Sequence, residues 1–404
     1  MFERLQSKNF KNNKEIKNVM KIVHIAISCF YIEGAGYQEN LLPKAHRKAG
    51  HEVTMISSQY SFNSKGQTEY RPTGTYINEN DVKVIILKDT PHLRLGLNMF
   101  KKKCYGLYKA LEAEQPDIIF MHGLSALDSY TVLRYLRKHP QVKFYADQHG
   151  DYYNTRYSTL GRFVLNFITR PMVKKIANRA NRLWGTTPWR VEYMQDVYRV
   201  PAEKTGLLVM GADEGKIDWE NKDTIRKAIR KQYDIDENDF LIVTGGKINR
   251  AKNIHLLADA IVALNRKNVK LLVFGSLDKE MEGTFTKYAD KENIVLAGWI
   301  KSDAAYNIFL AGDLVCFPGT HSVLWEQAVA CGIPGIYKLW DGMKHVNVND
   351  NAILVKDVTE KSTLDTIQAI LDDKELYNKM KMNAEQAMKS FYYSDIARKA
   401  IEMN

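Results

Sequence analysis

The sequence of 404 residues contains no long apolar run, and no stretch approaches the ~18 consecutive apolar residues that a membrane-spanning helix needs. The N-terminus lacks the apolar core of a secretory signal, so we expect a cytoplasmic protein. Cysteine is scarce, and the four cysteines show no CxxC spacing, which argues against a disulfide framework or a cysteine-based metal site. The fractions of 45% hydrophobic and 26% charged residues are those of a soluble globular protein, and the length allows two domains.

Signatures of nucleic-acid binding are also missing, because the chain has no zinc-ligand spacing and no RRM or KH motif. The net charge of +11 indicates an anionic partner, for which the anionic face of a membrane is the better candidate. Residues 1–19 are Lys/Asn-rich and are interpreted as a basic arm, with an upstream start ahead of Met20 as the alternative. Segment 92–114 offers Phe100 and Lys101–Lys103 for docking on a membrane, although packing of this helix on the sheet is the alternative.

Segment 152–182 has the most basic helical surface in the chain, although a solvated helix face is the alternative interpretation. Its cations are Arg156, Arg162, Arg170, Lys174, Lys175, Arg179 and Arg182. The apolar residues at helical spacing, which we expect to be core contacts, are Phe163, Phe167, Met172, Ile176 and Ala180.

The stretch from Asp313 to Gly335 is the centre of the candidate site. Its apolar run, Leu314 to Phe317, is typical of a buried parallel strand, and a Pro-Gly pair ends it. A polar loop then precedes a predicted helix from about Ser322 to Ala330, which carries Glu326 in its first turns. A strand, a glycine turn and a helix start at the carboxyl edge of a parallel sheet can form an anion or sugar site. An ordinary connection with a solvated glutamate is the alternative.

A second glycine turn lies in the segment from Phe240 to Ile261. An apolar strand runs into Gly245 and Gly246, and a helix is predicted to begin near Asn253. A diphosphate requires backbone that permits close approach and cations at a helix start. The loop supplies three cations, which are solvated surface charges in the alternative interpretation: Lys247, Arg250 and Lys252.

The first half of the chain opens with a strand, a glycine turn and a helix after Met20, and the turn contains Gly34 and Gly36. Further on, His122 and His149 each follow a predicted strand, at the edge where open α/β sheets bind ligands. Each of these residues also has a purely structural interpretation, since tight turns use glycine and histidines at a sheet edge serve as hydrogen-bonding partners.

In their order, these motifs resemble those of the GT-B glycosyltransferases, and in particular the large family 4 of retaining, nucleotide-sugar-dependent enzymes. The second half of that family's E-x7-E-A-x-A-x-G-x-P stretch is matched by Glu326, Ala328, Ala330, Gly332 and Pro334. The positions of its G-R-x4-K-G stretch are occupied by Gly246, Lys247, Lys252 and Asn253. A further family pattern at the end of the first domain is matched by Val200, Pro201, Glu203, Lys204, Gly211 and Asp213.

The resemblance implies an α/β protein of the GT-B fold, with two Rossmann-like, doubly wound parallel-sheet domains that face a central cleft. After the basic arm at 1–19, it places an acceptor domain at 20–203 and a nucleotide-sugar donor domain at 204–389. A C-terminal helix, 390–404, is expected to pack back on the first domain. The nucleotide is expected in the cleft between the two lobes.

The resemblance also implies roles for individual residues. Catalytic residues are expected to be His149 on the transferring sugar, Lys252 on the diphosphate and Glu326 on the donor ribose. No covalent nucleophile, metal ion or other cofactor is expected, and a UDP-sugar is the expected co-substrate. The remaining candidates for substrate binding are Gly34, Gly36, His122, Gly246, Lys247, Arg250, Gly275, Ile300, His321 and Ser322.

The implied function is that of a retaining hexosyltransferase. It would move a sugar from a nucleotide-diphosphate donor to a glycan or lipid-linked acceptor in bacterial cell-surface polysaccharide synthesis. We expect no nucleic-acid partner, and we expect peripheral contact with the inner face of an anionic membrane.

One departure from the family pattern leaves alternatives open. The position eight residues before Glu326, where the family has its first glutamate, is Pro318. Either His321 and Ser322 replace the missing carboxylate as partners of the sugar hydroxyls, or the protein is a degenerate member that binds a nucleotide sugar or glycan without turnover. A nucleotide-sugar 2-epimerase shares the architecture and is a third interpretation.

Overall fold

The computed structural model describes residues 19–27, 31–62, 67–90, 103–152, 158–301 and 303–402. The elements that build the first lobe are β1 (Lys21–Ala26), α1 (Gln38–Lys48), β2 (Glu52–Ser58), β3 (Tyr60–Phe62), β4 (Thr68–Tyr70), β5 (Gly74–Ile77), β6 (Lys83–Leu87), α2 (Leu107–Glu114), β7 (Ile118–His122), α3 (Ser129–Lys138), β8 (Lys143–Gln148), α4 (Thr159–Val164), α5 (Arg170–Arg179), β9 (Arg182–Gly185), α6 (Pro188–Asp196) and β10 (Thr205–Leu207).

The remaining elements form the second lobe, apart from the last helix, which returns to the first lobe. They are α7 (Lys222–Gln232), β11 (Phe240–Ile248), α8 (Ile254–Leu264), β12 (Val269–Leu277), α9 (Glu282–Thr286), β13 (Ile294–Gly298), α10 (Ala304–Ala311), β14 (Leu314–Phe317), α11 (Leu324–Ala330), β15 (Gly335–Lys338), β16 (Ala352–Val355), α12 (Glu360–Asp372), α13 (Lys374–Ala387) and α14 (Tyr393–Ala400).

Each lobe is built on a mainly parallel sheet. The first sheet has the order β10-β9-β8-β7-β1-β2-β6-β5, in which only β5 runs antiparallel to its neighbour. The second has the order β13-β12-β11-β14-β15-β16 and is parallel throughout. The central strands are near-continuous apolar runs, because parallel strands with crossover helices are buried on both faces. The predicted doubly wound α/β architecture is confirmed.

The strand order reverses once in each sheet, between β1 and β7 in the first lobe and between β11 and β14 in the second. At such a switch point the adjacent connections leave toward opposite faces, which opens a crevice at the carboxyl ends of the strands. Apolar side chains fill both faces of the second sheet, with Phe309 and Trp325 in one cluster and Leu257 and Ile261 in the other. Polar ligands are therefore expected at the switch points and not within these cores.

The last helix, α14, packs on the first lobe. Its residues Ile396 and Ala397 share a buried cluster with Leu42 of α1. The indole Nε1 of Trp184 in β9 donates to the carbonyl oxygen of Ala400 at 2.9 Å. Helix α14 is thus part of the first lobe.

The structure differs from expectation at the end of the first lobe. The boundary that we expected between residues 203 and 204 falls before β10, which pairs in parallel with β9. The first sheet therefore continues to Leu207. This last strand has only three residues, which carry too little pattern to be predicted.

The expectation that Phe163 and Phe167 are core contacts is wrong. Their side chains are 56% and 67% exposed, and the two rings lie 4.6 Å apart between centroids. A π-helical turn, Leu165–Thr169, separates α4 from α5, and Met172 and Ile176 of α5 are buried. The nine residues from Phe163 to Met172 span ~900° at ~100° per residue, which places the two side chains on opposite sides of a regular helix. Four predicted features lie outside the described residues: the arm 1–18, Phe100, Lys101–Lys102 and Arg156.

Candidate functional site

The glycine turn at the switch point of the second lobe is built from two paired strands. Gly246, two residues before the end of β11, lies in register with Gly275 of β12, and both have positive φ, +110° and +124°. A Cβ atom at Gly275 would lie 1.9 Å from the carbonyl oxygen of Gly246. Glycine is therefore required here for packing, and the turn presents bare backbone at the sheet edge. This close packing is sufficient to explain why residue 275 is a glycine, so a contact with a nucleotide is not needed to explain it.

Lys252 joins this turn to the loop that follows β14. Its ammonium group donates to the carbonyl oxygens of Thr320 at 2.6 Å and His321 at 3.1 Å. The neighbouring Asn253 side chain donates to the carbonyl oxygen of Pro318 at 3.1 Å. Burial lowers the pKa of Lys252 to about 8. The lysine therefore lies between the two halves of the predicted donor site.

The other two cations of the loop are exposed. The ammonium group of Lys247 lies 3.4 Å from the carboxylate of Asp278, and its side chain is 65% exposed. Arg250 is also exposed, and its backbone N–H donates to Glu280 at 3.2 Å. Ile300 is half-buried and packs against the apolar core of the second lobe. The structure therefore gives Lys252 a more constrained position than Lys247 or Arg250.

The short loop that replaces the first half of the family motif is closely packed. A Cβ atom at Gly319 would lie 2.3 Å from the backbone of Lys252, so only glycine fits there. The backbone N–H of Thr320 donates to the carbonyl oxygen of Ala251 at 3.0 Å, and the indole of Trp340 donates to that of Gly319 at 3.0 Å. The loop thus lies directly against the turn that precedes α8.

Glu326 lies in the first turn of α11, which begins at Leu324, two residues later than expected. Its carboxylate is fully buried and is held by two histidines. Atom Oε1 is 2.7 Å from Nε2 of His321 and 2.8 Å from Nε2 of His345. Atom Oε2 is buried and has no hydrogen-bond partner among the described residues. One oxygen is therefore held by the two histidines, and the hydrogen-bonding capacity of the other is unused among the described residues.

The two imidazoles also determine the charge of Glu326. Burial alone would raise the pKa of its carboxyl group, but His321 and His345 outweigh this effect and hold the pKa well below its usual range. Ser322 lies four residues before Glu326 in the sequence. Its hydroxyl is buried and has no hydrogen-bond partner among the described residues. His321, by contrast, already uses Nε2 on Glu326, so only its other nitrogen could contact a sugar.

The switch point of the first lobe holds the other predicted residues. His122 ends β7, and its Nδ1 lies 2.8 Å from Oδ2 of Asp147 in β8. His149 follows β8, and its Nε2 lies 3.3 Å from Oδ1 of the same carboxylate. Gly34 has φ of +70°, and an added Cβ at Gly34 or Gly36 would meet no atom within 4 Å, so this turn borders open space.

The two predicted histidines differ in exposure. His122 is fully buried, whereas the His149 side chain is 26% exposed. Burial lowers the pKa of His149, but the Asp147 carboxylate outweighs this effect and raises the pKa above its ordinary value. His149 is therefore the one that can meet a substrate, and His122 can act only through Asp147.

Among the described residues, two groups of three side chains contain metal-ligand types within 4.8 Å of one another: His321, Glu326 and His345, and His122, Asp147 and His149. Hydrogen bonds account for both groups better than a metal does. A metal-bound histidine donates its second ring N–H to an acceptor, but the buried Nδ1 of His345 has no partner among the described residues. Both ring nitrogens of His122 are already engaged, by Asp147 and His24. That no metal takes part stays a prediction.

Reasoning from the sequence missed His345, Asp147, His24 and His46. Asp147 directly precedes the predicted QHG motif, and a carboxylate at the end of a buried strand is a signal that could have been used. His24 lies inside the apolar strand β1, where a histidine requires a buried partner. The contact of His345 with Glu326, nineteen residues earlier in the chain, has no local signal.

Two doubly wound lobes, with a glycine turn and a histidine-held carboxylate at the second switch point, define a protein of the GT-B class. The family model described as Glycosyltransferase Family 4 matches residues 40–214, and the model described as Glycosyl transferases group 1 matches residues 225–387. No curated protein sequence matches the chain significantly.

Solved structures resemble the chain over nearly its whole length. A glycosyltransferase from Rickettsia africae has 15% identity and a TM-score of 0.68, with 96% of this chain and 98% of that chain covered. HepE from Anabaena, in complex with UDP and glucose, has 16% identity and a TM-score of 0.61, with 95% and 98% covered. The catalytic domain of starch synthase IV from Arabidopsis thaliana, bound to ADP and acarbose, has 14% identity and a TM-score of 0.62, with 95% and 100% covered.

The chain belongs to the GT-B glycosyltransferases of the family 4 type, and it is a transferase. At identities this low, the solved structures support the fold alone. Among the described residues, no helix is both long enough and apolar enough to cross a membrane.

Proposed function

We propose that the protein is a retaining hexosyltransferase that uses a UDP-sugar and a glycan or lipid-linked acceptor in bacterial cell-surface polysaccharide synthesis. The observation that carries this proposal is the second oxygen of Glu326, which is buried and without a partner among the described residues, in a carboxyl group whose pKa is held well below its usual range by two histidines. Such an oxygen is costly unless a ligand donates to it. The hydroxyls of the donor ribose would do so, with charge-assisted hydrogen bonds of about 1.5–3 kcal/mol each.

The diphosphate would lie over the Gly246 turn beside Lys252. An ammonium group has three N–H donors, and Lys252 uses two of them on the loop carbonyls. The third donor and the positive charge are left for a phosphate oxygen. Because the loop fixes the ammonium group in advance, little reorganisation is needed when negative charge develops on the leaving diphosphate.

The sugar would extend from this site toward His149 in the first lobe. A cationic His149 can donate to a sugar hydroxyl, and its raised pKa favours that cation near neutral pH. We infer that no covalent nucleophile takes part and that the leaving phosphate accepts the acceptor's proton on the same face of the sugar, which gives retention. The buried Ser322 hydroxyl would help to replace the missing family carboxylate.

The choice of UDP is supported by the complex of HepE with UDP and glucose, while the starch synthase complex makes ADP the competing candidate. The test is to incubate the protein with UDP-sugars and ADP-sugars and lipid-linked or glycan acceptors. The anomeric configuration of the product is then read by the proton coupling constants of its anomeric signal. We expect a product with the configuration of the donor, and an inverted product would contradict the proposal.

The same experiment separates the alternatives. Nucleotide binding without any product across the acceptors would indicate a degenerate binding protein. Release of an epimerised sugar would indicate a nucleotide-sugar 2-epimerase. Neither outcome is compatible with the proposed transfer.

We further propose that the protein contacts an anionic membrane peripherally through the surface formed by α4, the π-helical turn and α5. Leu160, Phe163 and Phe167 are exposed there, with 57%, 56% and 67% of their side chains accessible. Lys174 and Lys175 follow on α5, and the ammonium group of Lys175 lies 5.4 Å from the ring of Tyr130. Exposed aromatic and aliphatic side chains beside cations are the features of an interfacial membrane surface.

A further inference from the structure

Three buried histidines connect the cleft of the first lobe to the C-terminal helix. Asp147 Oδ2 lies 2.8 Å from His122 Nδ1, and His122 Nε2 lies 3.1 Å from His24 Nδ1. His24 Nε2 lies 3.0 Å from His46 Nδ1, and His46 Nε2 lies 2.9 Å from the carbonyl oxygen of Ala397 in α14. We call His122, His24 and His46 the imidazole string. All three side chains are buried.

The string needs one proton more than neutral histidines can supply. It contains four hydrogen bonds, and each requires one hydrogen between its two heavy atoms. Three neutral imidazoles carry three N–H groups, one on each ring. The Ala397 carbonyl at one end only accepts, and the ionised carboxylate of Asp147 at the other end only accepts. A fourth proton must therefore reside in the string, whichever tautomers the rings adopt.

The contacts of Asp147 indicate where this proton lies. Its Oδ1 accepts from the backbone N–H of Gly123 at 3.0 Å, and its Oδ2 also accepts from the amide of Gln38 at 3.3 Å. Donors to both oxygens favour the ionised carboxylate, so the proton belongs to the adjacent ring, His122. The other two rings are then neutral, each donating through Nε2 toward α14.

The electrostatic environment agrees with this assignment. Burial and the neighbouring imidazoles lower the pKa of His24 well below its ordinary value, and burial lowers that of His46 to about 4. Burial alone would raise the pKa of Asp147, but His122 and His149 outweigh it and hold the pKa well below its usual range. Neutral rings at His24 and His46 and an ionised carboxylate at Asp147 are what these directions describe.

We propose that the imidazole string holds one excess proton as an imidazolium at His122, and that its three histidines are positioning residues that set how strongly Asp147 attracts the cleft-facing His149. The Asp147 carboxylate is shared between His122 and His149 through its two oxygens. The negative charge of Asp147 stabilises the protonated form of His149. A positive charge on His122 offsets part of this stabilisation. The proton count does not depend on the proposed transferase function.

The other titratable groups at the two ends of the string are few among the described residues. Glu39 of α1 lies 4.0 Å from His149, and Arg190 of α6 also acts on it. His51 lies against His46, with ring centroids 6.3 Å apart. None of these groups is changed in the variants proposed below.

The string can be opened at His46 in two ways that differ in hydrogen bonding. His46→Leu removes the atom that accepts the hydrogen bond from His24 Nε2. If the excess proton stayed in the string, the N–H at His24 Nε2 would be buried without an acceptor. We therefore expect the excess proton to be lost in this variant. His46→Gln keeps an acceptor for His24 and a donor for the Ala397 carbonyl, so the proton is retained. The glutamine variant is the matched control, and thermal melting verifies that both variants fold.

The experiment is nitrogen-15 NMR on protein labelled at histidine, with signals assigned by substitution. In the unaltered protein at neutral pH we expect His122 to carry protons on both ring nitrogens and His24 and His46 to carry one each, on Nε2. Three singly protonated rings would overturn the proposal. This measurement needs no substrate and no active variant.

The coupling to the cleft is tested by titrating His149 in the same spectra. In His46→Leu, His122 is neutral and no longer offsets the negative charge of Asp147. We therefore expect the pKa of His149 to rise by about one unit. In His46→Gln we expect no change. An unchanged or lowered value in the folded leucine variant would overturn the positioning role. Absence of transferase activity would contradict the proposed function without affecting either result.

Discussion

Glu326 tests the nucleotide site at the scale of a single residue, because glutamine keeps the shape of the side chain and removes its charge. We expect Glu326→Gln to weaken binding of free UDP by about tenfold to a hundredfold, since charge-assisted hydrogen bonds to the ribose would be lost. Calorimetric titration measures this change. Glu282→Gln, on the exposed face of α9, is the matched control.

The comparison of ligands locates the contact of Glu326. A loss of affinity for both UDP and the UDP-sugar is expected from a ribose contact. If only the intact sugar donor binds more weakly, Glu326 contacts the sugar, and our assignment to the ribose is wrong.

Lys252 gives donor binding a pH dependence. Because its pKa in the free protein is lowered to about 8, its positive charge is present at pH 7 and is largely lost at pH 9. We expect the dissociation constant of UDP to increase about tenfold over this range in the unaltered protein. In Lys252→Arg, which stays charged, we expect little change between pH 7 and pH 9. Parallel pH dependences in the two proteins would remove Lys252 from the phosphate site.

At the scale of the secondary-structure elements, the β11–β12 glycine pair predicts a strong effect on stability. Gly275→Ala would place a Cβ atom 1.9 Å from the carbonyl oxygen of Gly246 in a backbone conformation with φ of +124°. We expect a loss of about 3 kcal/mol or more, measured as a lowered melting temperature. Gly283→Ala is the control, because an added Cβ there meets no atom within 4 Å in helix α9, and we expect no loss.

The helical surface of α4 and α5 predicts binding to anionic vesicles. We expect Phe163→Ser with Phe167→Ser, and separately Lys174→Glu with Lys175→Glu, to reduce flotation with vesicles that contain anionic lipid. Each cation near such a surface contributes about 1 kcal/mol. The matched control is Lys361→Glu with Lys379→Glu, two exposed lysines of the second lobe. Undiminished flotation of both test variants would indicate a merely solvated face.

The same elements show why some local expectations fail. We expected one continuous helical face through Phe163, Phe167 and Met172, but the step of five residues from Phe167 to Met172 turns a regular helix by ~500°, which is ~140° away from that face. The π-helical turn between α4 and α5 could not be predicted, because nothing in residues Leu165–Thr169 differs in type from an α-helical sequence. The outward phenylalanines became visible only in the folded chain.

At the scale of the whole molecule, the sequence was sufficient to predict the features of the fold that depend on apolar patterning and on the order of the motifs. Apolar runs that end in glycine, such as β11 at Gly246, and the order of the motifs predicted two doubly wound sheets. The candidate residues then fall at the two switch points, where topology places ligand sites.

The contacts between distant segments could not be predicted in this way. His345 reaches Glu326 from the loop after β15, and His46 in α1 reaches Ala397 in α14, more than three hundred residues away. Such contacts depend on how the crossovers and the returning helix bring the chain together. The sequence supplies only the residue types. For the imidazole string, the histidine inside the apolar strand β1, His24, indicates that a buried partner exists, but not which residue it is.

The most direct test of our central claim is a thermal-shift screen of nucleoside diphosphates and their sugars against the whole protein and Glu326→Gln. A ligand at 100 times its dissociation constant stabilises a protein by about 2.7 kcal/mol. We predict a clear upward shift with UDP or a UDP-sugar that is strongly reduced in Glu326→Gln. The absence of a shift with every nucleotide, or an equal shift in the variant, would contradict a nucleotide site at the second switch point.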